Sequence, residues 1–136
     1  MLSRLRVDTR FMFPSSAAIY GDGKIPNKED DKPNPNSFYG RTKIDAEFDI
    51  IRHRNYAIFR LSNVYGQGSK GFISIVEDSI KNRKSIRLDG NGEPSRDFIH
   101  VDDVIDALIM GMDIHGIIGP YIILSASNFS TEPHPF

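Results

Sequence analysis

Five consecutive residues, Tyr39, Gly40, Arg41, Thr42 and Lys43, pair a phenol with an ammonium group at a spacing that suits proton chemistry. On a helix, residues four apart share a face, so Tyr39 and Lys43 can point into one site. A phenol with its ordinary pKa of about 10 is a poor base at neutral pH. A nearby cation favours the tyrosinate, and a shift of about three units corresponds to roughly 4 kcal/mol of differential stabilisation. One well-placed lysine and a second positive charge in a shielded cleft could supply that. By themselves the two residues read more readily as an ordinary Tyr and Lys on a helix surface.

Three further constellations carry polar groups that could meet a ligand. Ser15-Ser16-Ala17-Ala18-Ile19-Tyr20-Gly21 follows the apolar run Arg10 to Pro14. In an open α/β sheet ligands bind beyond the carboxyl ends of strands, and a serine there can hydrogen-bond a substrate hydroxyl and relay its proton. Both serines could instead satisfy the loop backbone. Arg60-Leu61-Ser62-Asn63-Val64-Tyr65-Gly66 also sits at a strand end, where the Asn63 amide could fix a phosphate or a sugar. In the segment Gly90 to Asp103, Arg96 offers a planar, permanently charged fork suited to a diphosphate. A salt bridge from Arg96 to Asp97 or Asp103 is the competing reading.

The elements that must hold these groups follow from pattern. The run to Pro14 lacks polar alternation and reads as a buried parallel strand. Tyr20 to Ser37 is rich in Gly, Pro, Asn, Asp and Lys and reads as a long surface loop. A helix should begin at Asn36 or Ser37, both good caps after Pro33 and Pro35, and run to about Arg54. Tyr56 to Leu61 reads as a second buried strand and Phe72 to Asn82 as an amphipathic helix. Ser85 to Leu88 and Asp97 to His100 read as short strands around an Asp89-Gly90-Asn91-Gly92 turn. Asp102 or Asp103 should cap a helix reaching Met112, and Tyr121 to Leu124 should be the last strand. Strands alternating with helices give an α/β fold with a parallel sheet, and no domain boundary is visible within residues 1–136.

Composition removes several function classes. The chain has 136 residues, 39% hydrophobic and 26% charged, with a net charge of −1. That balance gives no electrostatic case for nucleic acid or an anionic membrane surface. There is no cysteine, which excludes disulfides, thiolate chemistry and thiolate zinc sites. His53, His100, His115 and His134 are scattered without metal-ligand spacing, so no metal is expected. No apolar run approaches a membrane span, and Met1 to Asp8 lacks the apolar core of a secretory signal, which makes a cytoplasmic location the expectation. Phe11, Phe13, Phe59 and Phe98 read as core, and the basic residues from Lys81 to Lys84 as a solvated helix end.

Order and spacing together are more specific than any one piece: a strand-end serine, a Tyr/Lys helix, Asn63, then Arg96. In these motifs the sequence resembles the extended short-chain dehydrogenase/reductases, specifically the NAD-dependent epimerase/dehydratase family typified by UDP-glucose 4-epimerase. The similarity runs from about Phe11 to about Met112. It implies a partial Rossmann-like parallel sheet, the C-terminal half, with a small substrate-binding lobe. It further implies Tyr39 as catalytic base and acid, with Lys43 lowering its pKa and bonding the nicotinamide ribose. Ser16 would contact the reacting hydroxyl, and Pro14 and Ser15 would lie close to NAD. Asn63 and Arg96 would hold the diphosphate of a nucleotide-sugar substrate, and Phe72, within the segment Gly71 to Ile75, would line its pocket.

The family also begins with a strand, a glycine-rich turn and a helix that hold the dinucleotide pyrophosphate. No G-x-x-G-x-x-G or G-x-G-x-x-G precedes the Tyr/Lys helix, and neither Gly21-Asp22-Gly23 nor the later run Gly66-Gln67-Gly68-Ser69-Lys70-Gly71 is placed to replace it. By the resemblance, the missing first half amounts to roughly a hundred residues. The expectation is weak affinity for NAD and little activity by this chain alone, with an apolar strand edge for a complementing N-terminal half to cover. The family often dimerises through a bundle that includes the Tyr/Lys helix, so Ile44 to Ile51 could pair in a homodimer. Related dehydratases carry carboxylates just after the catalytic hydroxyl residue, because eliminating water needs an acid and a base beside the sugar. Ala17 and Ala18 can be neither, which favours a 4-epimerase or a plain keto-reductase. A non-catalytic remnant that binds nucleotide sugars or dimerises is the alternative class.

Overall fold

The computed structural model describes residues 9–22, 26–53, 55–86, 96–114 and 116–123. In chain order the elements are β1 (Phe11–Ser16), a 3-10 turn (Ala17–Tyr20), α1 (Phe38–Ile50), β2 (Tyr56–Leu61), β3 (Asn63–Tyr65), α2 (Phe72–Lys81), β4 (Phe98–His100), α3 (Val101–Asp113) and β5 (Ile117–Ile123). The expected turn at Asp89 to Gly92, the second half of the strand expected at Ser85 to Leu88, and the tail beyond Ile123 lie outside the described residues; Ser85 and Ile86 are not in a strand.

Strand β2 organises the molecule. Tyr56, Ala57, Ile58, Phe59 and Arg60 are all buried, as an apolar run flanked on both sides should be. β1 and β5 pair with it in parallel, giving a three-stranded sheet in the order β1-β2-β5. Side chains alternate between the two faces of a strand. On one face Tyr56 and Ile58 pack with Ile50 of α1 and with Phe11 and Phe13 of β1. On the other, Ala57 and Phe59 pack with Met12, Leu108 of α3, Leu61 and Ile123. Helices therefore cover both faces of a parallel sheet, the layered α/β arrangement. β3 and β4 form a separate parallel pair, Asn63 opposite Phe98 and Tyr65 opposite His100. Among the described residues no helix is long and apolar enough to cross a membrane.

Several boundaries differ from expectation for local reasons. α1 stops at Ile50 instead of near Arg54, because the chain turns back there: His53 N–H donates to Ile50 O at 2.8 Å, and the His53 ring reaches Thr9 O at 3.0 Å. α3 is capped by His100 and not by Asp102 or Asp103. β4 runs straight into α3, so extended His100 is the residue whose Nδ1 accepts from Asp102 N–H, at 3.3 Å. The two aspartates then fall in the first turn, where negative charge suits the helix dipole. β5 begins at Ile117, four residues before the expected Tyr121. Gly119 and Pro120 lie within the strand, and the ladder absorbs them as a register shift opposite Ala57 to Phe59. Gly119 has φ 89°, and a Cβ there would stand 2.5 Å from Ile58 O, so only glycine fits that bulge. β1 is half-buried and not fully buried, with Pro14 exposed, because it is an edge of the described sheet.

Candidate active site at the carboxyl end of the first strand

The amino end of α1 is fixed by three contacts. Ser37 caps it, its Oγ accepting from Gly40 N–H at 3.0 Å. Gly40 lies directly on the turn that follows β1: a Cβ there would stand 2.5 Å from Ala18 O and 2.9 Å from Pro35 Cβ. One turn further along, Lys43 Nζ donates to Pro14 O at 2.8 Å. The two cross-contacts, to Pro14 and to Ala18, bracket Ser16. The helix segment that carries Tyr39 and Lys43 is thus laid against the strand end that carries the serines.

Within this cluster the ammonium of Lys43 lies 5.6 Å from the centroid of the Tyr39 ring and 4.9 Å from that of Phe13. Tyr39 is 55% exposed, open on its outer side. Ser16 Oγ accepts from Ala18 N–H at 3.2 Å, which caps the 3-10 turn. Accepting that bond leaves the Ser16 O–H available as a donor. Ser15 is different. It is buried, and its hydroxyl is committed to the Glu47 carboxylate beneath α1.

Below the cluster is a buried polar group that the sequence motifs did not reveal. Arg60 donates from Nε to Glu47 Oε1 at 3.1 Å and from Nη2 to Glu47 Oε2 at 2.7 Å. Its Nη1 donates to the Tyr20 hydroxyl and to Glu29 O. Burial works against the Arg60 charge, but hydrogen bonding and attraction from Glu47, then Tyr20, outweigh it and hold its pKa above the ordinary value. Burial pushes the Tyr20 phenol up, against the opposing pull of Arg60. Glu29 also ties the long loop to β5, its Oε1 accepting from Ile122 N–H at 3.2 Å. That bond and the backbone N–H of Glu29 itself, the larger cause, hold its carboxyl below the usual range. A signal for this group was present: an arginine inside an otherwise apolar strand requires a buried partner.

The remaining site candidates gather elsewhere, around β3 and β4. Asn63 Nδ2 donates to Asp97 O at 2.9 Å, joining the start of β3 to the segment that holds Arg96. Phe72, at the start of α2, stacks on Phe98 with ring centroids 6.4 Å apart. Arg96 is exposed and forms no salt bridge with Asp97 or Asp103, so the competing reading of it as a member of a local ion pair is not what the chain adopts. The candidates therefore form two groups: Pro14, Ser15, Ser16, Tyr39 and Lys43 at the end of β1, and Asn63, Phe72 and Arg96 at the second sheet.

A family model described as "NAD dependent epimerase/dehydratase family" matches residues 1–116. The chain is 30% identical to the UDP-glucose 4-epimerase of Mycolicibacterium smegmatis, over 70% of this chain and 34% of that protein. Among solved structures, the UDP-glucose 4-epimerase of Thermotoga maritima with UDP-glucose superposes with a TM-score of 0.72 at 30% identity, covering 85% of this chain and 41% of that one. The ADP-L-glycero-D-manno-heptose-6-epimerase of Helicobacter pylori gives a TM-score of 0.78 at 26% identity, covering 88% and 41%. The chain thus spans less than half the length of these proteins.

Proposed function

The chain belongs to the NAD dependent epimerase/dehydratase family, and from that premise we propose that it carries the proton-transfer and substrate-side machinery of a nucleotide-sugar 4-epimerase. The observation that supports this most is the bracketing of Ser16: Lys43 holds the Pro14 carbonyl on one side and Gly40 rests on Ala18 on the other. In this reading a phenol, an ammonium group and the Ser16 O–H share one strand end, where α/β sheets bind ligands.

In this reading Tyr39 takes the proton of the sugar hydroxyl being oxidised and returns it when the ketone is reduced. Lys43, anchored on Pro14 O, keeps positive charge beside the phenol. Ser16 donates its O–H to the reacting oxygen. Arg96, exposed and without a salt bridge to Asp97 or Asp103, and Asn63 at the second sheet take the diphosphate, with Phe72 beside them. Ala17 and Ala18 leave the site without the carboxylates that elimination of water needs, which favours epimerisation over dehydration.

The residues present fit one end of NAD. Exposed Tyr39 and the Lys43 ammonium suit the ribose next to the nicotinamide, while no G-x-G-x-x-G run joins β1 to α1 to take the pyrophosphate; the run Gly66 to Gly71 opens α2 after β3 instead. When bound, NAD accepts and returns the hydride. Binding of NAD by this chain alone is accordingly expected to be weak, and a complementing N-terminal half would strengthen it.

The test is titration calorimetry with UDP-glucose, followed by proton NMR of the anomeric region with NAD added. Binding of UDP-glucose weakened about tenfold by Arg96→Ala supports the substrate site; a tenfold change corresponds to about 1.4 kcal/mol, within the range of a charged hydrogen bond. Conversion to UDP-galactose that Tyr39→Phe abolishes supports the chemistry. Absence of UDP-sugar binding refutes the proposal, and carbonyl reduction without such binding turns it toward a keto-reductase. Binding without turnover, in the presence of an NAD-binding half, identifies a nucleotide-sugar-binding module instead.

A further inference from the structure

α1 has little apolar surface with which to choose its own orientation. Its buried residues are Gly40, Glu47 and Ile50, while Phe38, Phe48 and Ile51 are 83%, 58% and 46% exposed. A single aliphatic anchor, Ile50, lets a helix roll about its axis. The second anchor is polar. Glu47 lies four residues after Lys43 and eight after Tyr39, on the same face. Its carboxylate is gripped by both arms of the Arg60 fork from β2 and by the Ser15 hydroxyl from β1. A bidentate fork fixes direction as well as distance.

We propose that the buried Glu47–Arg60 pair is the positioning device of the site: it sets the rotation and height of α1 over β1 and β2, and so holds Lys43 at the Pro14 carbonyl and the Tyr39 turn against Ala18. Glu47 and Arg60 touch neither substrate nor cofactor in this scheme. They act through the backbone of α1. The functional consequence deepens the 4-epimerase reading and rests on it; the geometric claim does not.

A buried ion pair is not by itself a source of stability, since apolar replacements of similar volume are often neutral or stabilising. That separates positioning from mere stabilisation. Ser15 and Arg60 are register partners on β1 and β2 and both side chains meet the Glu47 carboxylate, so removing the pair removes the side-chain link from Glu47 to the two strands. The contact to watch is Lys43 over Phe13, whose ring centroid is 4.9 Å away, because it reports the placement of α1 on β1 directly.

The experiment uses the 136-residue chain with carbon-13-labelled lysine, the Lys43 ε-methylene signal being assigned with Lys43→Arg. In the double variant Glu47→Leu/Arg60→Met the urea midpoint should match or exceed the parent's, with the β2–β5 cross-strand contacts intact. The ring-current shift of the Lys43 methylene and its cross-peaks to Phe13 should nevertheless fall at least threefold. Arg60→Lys, which keeps charge but loses the fork, should show the same loss in smaller measure. A folded double variant with the Lys43 signature unchanged overturns the proposal. Should the double variant not fold, Glu47→Gln decides: it keeps size and one acceptor oxygen, and Lys43–Phe13 cross-peaks reduced at least twofold support the proposal while unaltered ones overturn it. Because these signals need no substrate, failure of UDP-glucose binding would sink the functional reading without touching this result.

Discussion

Replacing Gly40 by alanine sets two opposed effects against each other at the point where α1 meets the strand end. In a helix, alanine is favoured over glycine by about 0.5–1 kcal/mol, because the unfolded glycine chain has more freedom to lose. Were Gly40 on an open surface, the variant would be more stable. Here the added Cβ would stand 2.5 Å from Ala18 O and 2.9 Å from Pro35 Cβ. Ala18 O is main chain, in a turn capped by Ser16, and cannot swing aside as a flexible side chain would. Overpacking of this kind costs about 1–3 kcal/mol, and a backbone obstacle belongs in the upper half of that range. The net expectation is a loss of about 1–2 kcal/mol. With a urea dependence of about 2 kcal/mol/M, the unfolding midpoint followed by far-ultraviolet circular dichroism should fall by roughly 0.5–1 M at unchanged slope. The helix must move off the turn to admit the methyl group, so Tyr39 should also recede from the Ser16 end. A midpoint that rises, by the amount glycine-to-alanine exchange gives on a free helix surface, would refute the close approach of α1 to Ala18 and with it the bracketing of Ser16.

Two other outcomes follow from single contacts. Ser37→Ala removes the oxygen that accepts from Gly40 N–H and should destabilise the chain by about 1 kcal/mol, most of it recovered by Ser37→Asp; equal midpoints for parent and alanine variant would show that the cap contributes nothing. Tyr20 should make the fold sensitive to alkali: burial raises its pKa above the unfolded value of about 10, so the stability from the neutral phenol is full below pH about 10 and is lost as pH rises through the folded value. Unfolding midpoints compared at about pH 9 and about pH 11 should show a drop that Tyr20→Phe reduces, and a drop of the same size in that variant would assign the alkaline loss to other groups.

Much of this protein was fixed by local sequence. The apolar, unalternated run of β2 announced a strand covered on both faces, and its bounds, Tyr56–Leu61, are those observed. Ser37 after two prolines announced the start of α1, since a capping hydroxyl and the backbone restriction before it act within a few residues. The order of the four motifs pointed to the family, because each motif is a short segment whose chemistry is written in adjacent residues. Boundaries set by what the chain meets later were not legible. α1 ends where His53 finds Thr9, β5 begins early because the ladder with β2 tolerates a bulge, and His100 caps α3 because β4 enters it without a linker. Nor could the sequence show that Ser15 and Ser16 part company, one turned to Glu47 and the other to Ala18. Glu47, Arg60 and the Ser15–Tyr20 segment are three separated stretches, and nothing in their spacing states that they meet. Local propensity and pattern act over a turn of helix or the width of a strand; a buried fork between distant residues exists only once the sheet has aligned its strands and α1 has been laid across them.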